Sequence, residues 1–550
     1  MKINKINSIY ALAAIVMTMC LTFACGGGSS SADGGGDVLE DLKVTECESF
    51  EEFEIALAEA EPGDILKLNY SFTEGGSLAE NFAKIRNALF AVKTNVILDL
   101  SDAQDITSIP TAAFRDSAKG NLVYLTGITL PKTGLISLEY AAFENCRNFE
   151  SIVIPSSVKS IGMAAFYYCS KLSSVTIPEG VTSIGESAFF YCQSLESITI
   201  PSSIESIGLE AFRLCTGLTN FTITEGVKNI GPGDYIFTGC TSLANITIPS
   251  SVTSIGRRPF YYCSSLTTIN VDAANTVFTS IDGNLYSKNE KTFVMYAPGK
   301  KNVAFTIPSG VETIAQDAFC NCQSLESIII PSSVNDIGKA AFYYCNKLSS
   351  VTIPEGVKSI GDSVFASCLR LESITIPSTV TSIGISIFKD SIGLRTVNVN
   401  ASNTAYTSID NVVYSKDGKT LLACVPYKIG AIAIPEGVET IVDDAFYYCR
   451  FLNSITLPST LKSIGNDTFA YCSGISSITI PAGVTSIGWT AFGSCSILTN
   501  VILLGSTPPT LGGSTFRTYS ISFTVPEGAR DNYINAAYDQ GWYYYKALIL

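Results

Sequence analysis

From about residue 105 to the end, apolar and polar positions recur in a fixed order. One unit reads Ala165-Phe166-Tyr167-Tyr168-Cys169, then Leu172, Val175, Ile177-Pro178, Val181 and Ile184-Gly185. Pro155, Pro178 and Pro201 stand 23 residues apart, as do Pro308, Pro331, Pro354 and Pro377, and again Pro435, Pro458 and Pro481. Phe143, Phe166, Phe189 and Phe212 keep the same beat, each with a cysteine three places behind it. Ser174 and Thr176 alternate with Val175 and Ile177, which predicts a short half-buried strand. Pro178 ends it, because proline cannot donate to a ladder. Ala188, Phe189 and Cys192 predict a short helical turn, and Gly185 reads as a turn residue needing unusual backbone freedom. A unit of this size cannot bury its own apolar groups, so neighbours must stack. The expected fold is an α+β repeat solenoid over 105–504, a right-handed superhelix of short strands and short helical turns.

Two units are longer than the rest. Thr279-Ser280-Ile281-Asp282 with Tyr286-Ser287-Lys288 returns as Thr407-Ser408-Ile409-Asp410 with Tyr414-Ser415-Lys416. Asp417-Gly418 between the apolar pairs Val412-Val413 and Leu421-Leu422 is a hairpin signal. Inserted β-hairpins projecting from the stack are therefore expected at about 272–307 and 400–434. Residues 38–104 have a different composition, with helices expected around Glu51 to Ala60 and Leu78 to Val92 and a strand at Asp64 to Leu68. They suit an N-terminal cap, and 505–550, with Tyr543-Tyr544-Tyr545, suits the C-terminal cap that an open solenoid needs.

Together these units resemble the BspA-like bacterial leucine-rich-repeat surface proteins, built on LxSIxIPxxVxSIGxxAFxxC. The resemblance runs from about 105 to 550 and includes Val525-Pro526-Glu527-Gly528 and the stretch Tyr533 to Trp542. It implies a leucine-rich-repeat fold and a cell-surface adhesion or host-interaction role, with an extracellular or host-surface protein as partner. A passive envelope spacer and a glycan-binding module for polysaccharide capture stay open beside that reading.

Lys2 and Lys5 precede the apolar run Ile9 to Cys20, which is shorter than the about 20 residues of a membrane span. Residues 1–24 thus read as a signal peptide. Leu21-Thr22-Phe23-Ala24-Cys25 resembles a bacterial lipoprotein processing box, with Cys25 lipidated and 25–37 a Gly/Ser tether. The chain is expected to be exported and lipid-anchored at the bacterial outer membrane or cell surface, touching membrane through that anchor only.

Composition narrows the chemistry. The chain has 35 Lys and Arg against 49 Asp and Glu, a net charge of −14, and no histidine. Without histidine, Ser-His-Asp and Cys-His nucleophilic sites are excluded. An acidic chain without basic clusters is a poor fit to nucleic acid. Asp and Glu sit mainly at variable turn positions, and no phosphate-binding glycine loop or Ca²⁺ loop occurs. Cys320-Asn321-Cys322 lacks zinc spacing and a partner pair. No enzyme activity, metal or cofactor is expected. Most of the 17 cysteines share one repeat slot that Ser391 fills in one coil, which favours a reduced buried ladder over disulfides.

Two surface ribbons are the candidate binding residues. One consists of Ser174, Thr176, Ser197, Thr199, Ser350, Thr352, Ser373 and Thr375 on the strands. It is either a hydroxyl ladder that keeps a β face paired and soluble or a flat docking surface. The other is Tyr168, Tyr191, Tyr262, Tyr344 and Tyr448, two places after phenylalanine, which serve as outer packing or as a contact ribbon.

Overall fold

The computed structural model describes residues 43–74, 76–115, 124–231, 234–516, 521–536 and 541–550. The signal peptide, the tether and Cys25 lie outside the described residues.

A typical coil makes two parallel contacts with its neighbours. Ser174–Thr176 and Ser197–Ile200 belong to one ladder, and Ser183–Ile184 pairs in register with Ser160–Ile161 and Ser206–Ile207 in another. Leu172, Val175, Ile177, Val181, Ile184, Ala188, Phe189 and Cys192 all turn inward and are buried. Phe143, Phe166, Phe189 and Phe212 stack with ring centroids 5.1 to 5.3 Å apart. Most repeat cysteines donate their S–H to the phenylalanine carbonyl of the coil before, as Cys169 does to Phe143 at 3.1 Å and Cys345 to Phe319 at 3.0 Å, whereas Cys449 after the second insertion donates to Val425. Ser391 makes the same bond to Phe365, which explains why a serine is admitted there. All described cysteines are free.

The helical turn expected around each phenylalanine is absent from the described repeats. Ala164 and Tyr168 have φ of 55° and 60°, so left-handed residues stand four places apart in the turn and it cannot propagate a helix. Odd members bond inside the turn, as Tyr167 N–H does to the Ala164 carbonyl at 3.0 Å. Even members bond to the next coil: Ala164 to Glu186, Phe166 to Ala188 and Tyr168 to Phe190, at 2.7 to 2.8 Å. Left-handed backbone at a non-glycine residue costs of order 1 kcal/mol or more, and the inter-coil bonds offset it. Gly185 also differs from expectation, because its φ is not positive. It is glycine because a Cβ there would meet the carbonyl carbon of Gly162 in the coil before at 2.5 Å.

The described chain divides into two units. The first runs to Leu243 and includes Ser254–Phe260. Its eight-stranded parallel sheet begins with Val44–Cys47, Ile65–Leu68 and Val96–Asp99 and ends at Asn220–Ile223. Helices Phe50–Ala58 and Leu78–Val92 connect the first strands, the second started by a capping box between Ser77 and Glu80. Phe82 on that helix packs edge-on against Phe114, which stacks on Phe143, so the helix closes the phenylalanine stack.

The second unit comprises Ala244–Thr253 and Tyr261–Leu550. Both insertions lie in it, and they do not project. Phe278–Ile281, Asn284–Ser287 and Thr292–Met295 pair antiparallel in sequence, and the last then pairs parallel with Thr313–Ile314 of the next coil. Tyr406–Ile409, Val412–Ser415 and Thr420–Cys424 repeat this arrangement, the last strand pairing with Thr440–Ile441. Leu285, Phe293, Val412 and Leu421 are fully buried, so the insertions are coils of the stack. At the far end Trp542 and Tyr533 are buried, packed edge to face on each other, with Phe523 against Trp542 and Trp542 Nε1 donating to the Pro509 carbonyl at 2.7 Å.

Two measurements test this fold. A Cβ at Gly361 would stand 2.6 Å from the Lys339 amide nitrogen, against backbone that cannot give way. Gly361→Ala should destabilise by about 1–3 kcal/mol and speed amide exchange first at Ile337 and Ile360, which pair in the adjoining ladder. Unchanged exchange there would contradict the packing argument. Glu355 accepts from the Ser378 hydroxyl at 2.7 Å and the Ser378 amide at 3.1 Å, which hold its carboxyl below the ordinary value. That contribution is present above the ordinary carboxylate pKa and fades as pH falls through the lowered folded value. In melts between pH 7 and pH 3, Glu355→Gln should lose less on acidification than the parent, and an identical acid limb would refute the assignment.

Candidate interaction surfaces

Two surfaces carry the residues singled out in the sequence. On the strands, Ser174, Thr176, Ser197, Thr199, Ser350, Thr352, Ser373 and Thr375 are all exposed, alternating with buried Val or Ile. The ladder aligns them. Ser151, Ser174, Ser197 and Asn220 form one row of the first unit, and Thr199 lies beside Thr222. In the second unit Ser350 lies beside Ser327, Thr352 beside Ile329, Ser373 beside Thr396 and Thr375 beside Asn398.

These hydroxyls do not bond to one another, nor to any other group among the described residues. Their neighbours one place earlier do: Ser173 donates to the Glu150 carbonyl, Thr219 to Glu196 and Ser349 to Glu326, each at 3.1 Å. These preceding hydroxyls, also exposed, thus serve the ladder, whereas the ribbon hydroxyls keep their donors and acceptors for solvent or a ligand. A hydrogen-bonded hydroxyl ladder is not what the ribbon forms.

The tyrosines occupy the second left-handed position of each turn, with φ of 60° at Tyr168, 63° at Tyr191, 59° at Tyr262, 63° at Tyr344 and 68° at Tyr448. Tyr262 is 38% exposed, and the other four are half-buried. They do not form one continuous ribbon. Tyr168 stacks on Tyr191 at 4.4 Å and 19°. Tyr262 meets Tyr344 edge to face at 6.0 Å, and Tyr448 lies 5.3 Å from Tyr471. Burial raises the Tyr262 phenol above its ordinary pKa, so it stays neutral at physiological pH.

The insertion coils contain polar devices that sequence reasoning missed. Asn275 and Asn403 are buried, and their Nδ2 atoms bridge two carbonyls of the coil before: Pro249 and Val252, and Pro377 and Val380. Their Oδ1 atoms accept the backbone N–H of Val277 and Phe278, and of Ala405 and Tyr406. The signal was present, since Asn-Thr stands at the same place in both insertions. Across the second insertion, the Asp444 carboxylate takes the Ser386 hydroxyl at 2.5 Å and Lys389 Nζ at 2.9 Å. Burial pushes the nearby Asp390 carboxyl up; Lys389 opposes the shift and Asp444 adds to it.

Among the described residues no group of His, Cys, Asp and Glu side chains is arranged to hold a metal ion. No described helix is long and apolar enough to cross a membrane.

The profile of the BspA type leucine rich repeat region matches residues 83–218, 210–300, 298–417 and 424–531. No curated protein matches the chain. Among solved structures, a leucine-rich repeat protein from Eubacterium ventriosum is 28% identical, covering 63% of this chain and 83% of its own, with a TM-score of 0.43. A leucine rich cell surface protein from Faecalibacterium prausnitzii is 28% identical over 68% of this chain and 83% of its own, with a TM-score of 0.37. A leucine-rich repeat protein from Bacteroides ovatus is 27% identical over 71% and 82%, with a TM-score of 0.34. With the profile spanning well over half of the sequence, the chain belongs to the BspA-type leucine-rich-repeat family.

Proposed function

We propose that this protein is a non-enzymatic surface adhesin, exported and lipid-anchored through Cys25, that binds a protein of a host or partner cell through its strand ribbon. The observation that carries this reading is the set of ribbon hydroxyls, Ser174 to Thr199 in the first unit and Ser350 to Thr375 in the second, which are exposed, aligned with their strand partners and unused by the described protein itself. Short uncharged side chains on a rigid sheet present donors and acceptors with little conformational entropy to lose on binding. The missing histidine and the uncharged ribbon favour recognition over catalysis. Membership of the BspA-type family supports a surface location.

Because the ribbon repeats, contacts add along it rather than converge on one pocket. Purified mature chain, screened against extracellular-matrix proteins, host-surface proteins and a glycan array, should bind a protein saturably. Thr199→Ala alone should cost well under about 1 kcal/mol, whereas Thr176→Lys, Thr199→Lys and Thr222→Lys together should weaken binding by about tenfold or more. Binding confined to the glycan array would establish the polysaccharide-capture alternative, and no binding in any arm would leave a spacer. Separately, Cys25→Ser should move the protein from the membrane fraction to the soluble fraction, and unchanged partition would rule out the lipid anchor.

A further inference from the structure

Aromatic ladders cover their own faces, and only where a ladder stops does a ring face remain over. Several aromatic faces in this chain are covered by a cation of the protein itself. Arg213 follows Tyr167 and Phe190 in the same slot of successive coils, its guanidinium 5.6 Å from the Phe190 centroid. Arg147 lies 6.0 Å from the Tyr168 ring. Around the second insertion, which interrupts the turns, Lys389 covers Tyr447 at 4.4 Å, Arg450 covers Tyr448 at 3.9 Å and Arg395 covers Tyr427 at 4.0 Å.

The first insertion interrupts the turns in the same way, with Tyr262 before it and Tyr344 beyond it. Their rings meet edge to face at 78°, and Tyr261 tilts against Tyr262 at 4.2 Å. No described lysine or arginine covers either Tyr262 or Tyr344, and Tyr262 is 38% exposed. In the turn before the second insertion Lys389 and Asp390 follow Phe388, where Tyr261 and Tyr262 follow Phe260 before the first. A phenol face attracts cations through its quadrupole, and the net charge of −14 favours positive ligands.

We propose that Tyr262 and Tyr344 form a recognition point for an alkylammonium or guanidinium group, supplied by a lysine or arginine of the protein partner. The source of the cation rests on the protein-binding reading; the recognition chemistry does not. The probe is n-butylammonium chloride, titrated at constant ionic strength against n-butanol into the full chain labelled with fluorotyrosine, and read by fluorine NMR. The Tyr262 and Tyr344 resonances should shift saturably with butylammonium and not with butanol, while Tyr168, which stacks on Tyr191 and lies under Arg147, stays unmoved. Tyr262→Leu should weaken the response at Tyr344 about tenfold, and Tyr262→Phe, which keeps the ring, should retain it. Leucine is compatible with this backbone, since Leu214 holds the same slot at φ 61°. Lys389→Ala should add a second responding site at Tyr447. An equal response to butanol, an unaltered response in Tyr262→Leu, or no gain in Lys389→Ala would each overturn the proposal. A chain that binds a protein partner but ignores butylammonium would lose this inference alone. A chain that takes the cation but binds no protein would keep it and lose the adhesin reading.

Discussion

The backbone of one turn lies directly on the backbone of the next, and the rest of the structure follows from that approach. Alternate N–H groups of each turn point across to the neighbouring coil, as Ala164, Phe166 and Tyr168 do, in a turn with left-handed residues at Ala164 and Tyr168. Such a turn has no room for a Cβ at Gly162, Gly185 or Gly361, where it would strike the backbone of the coil before. It also places phenylalanine over phenylalanine and thiol under carbonyl in successive coils, as at Phe166 and Phe189 and at Cys192. Side-chain packing supplies most of the stabilisation, at roughly 1.5–3 kcal/mol for each large buried apolar side chain, but the backbone contact sets the register in which that packing occurs.

Much of this was legible in the sequence because period and polarity carry it. The interval between prolines gives the coil, the Ser-x-Thr alternation gives the strand, and Ser77 with Glu80 marks a helix start. What could not be read was the conformation of the turn. Ala188, Phe189 and Cys192 have helical spacing, yet a turn bonded to its neighbour needs left-handed residues at Ser187 and Tyr191. Serine and tyrosine give no sign of that in a sequence, since the inter-coil bonds that offset the cost are visible only in the fold. The insertions were misjudged for a related reason. Their hairpin turn signals are local, whereas the choice between projecting and joining the ladder depends on the buried Asn275 and Asn403, whose partners lie in another coil.

The candidate surfaces divide in the same way. That the strand hydroxyls face solvent follows from alternation alone. That they are unbonded while Ser173, Thr219 and Ser349 are bonded does not, because both sets are serine and threonine in the same segments. For the tyrosines, sequence gives position but not availability. Tyr168 and Tyr191 share a slot with Tyr262 and Tyr344, yet the first pair stacks face to face and the second meets edge to face.

Stacking therefore decides which chemistry a repeat protein of this kind can offer. Any group repeated in every coil meets its own copy about 4.8 Å away, so a group with an interacting face, such as an aromatic ring, is satisfied internally. Groups that act outward, such as the hydroxyls of Thr176 and Thr199, keep their capacity in every coil and give a graded surface. Localised chemistry then requires a break in the repetition, and the two insertion coils are where the turns are broken. The Lys389–Asp444–Tyr447 cluster and the Tyr262–Tyr344 pair both sit at such breaks, beside phenylalanine slots whose neighbours elsewhere only pack. A uniform stack supplies length and avidity; its interruptions supply selectivity.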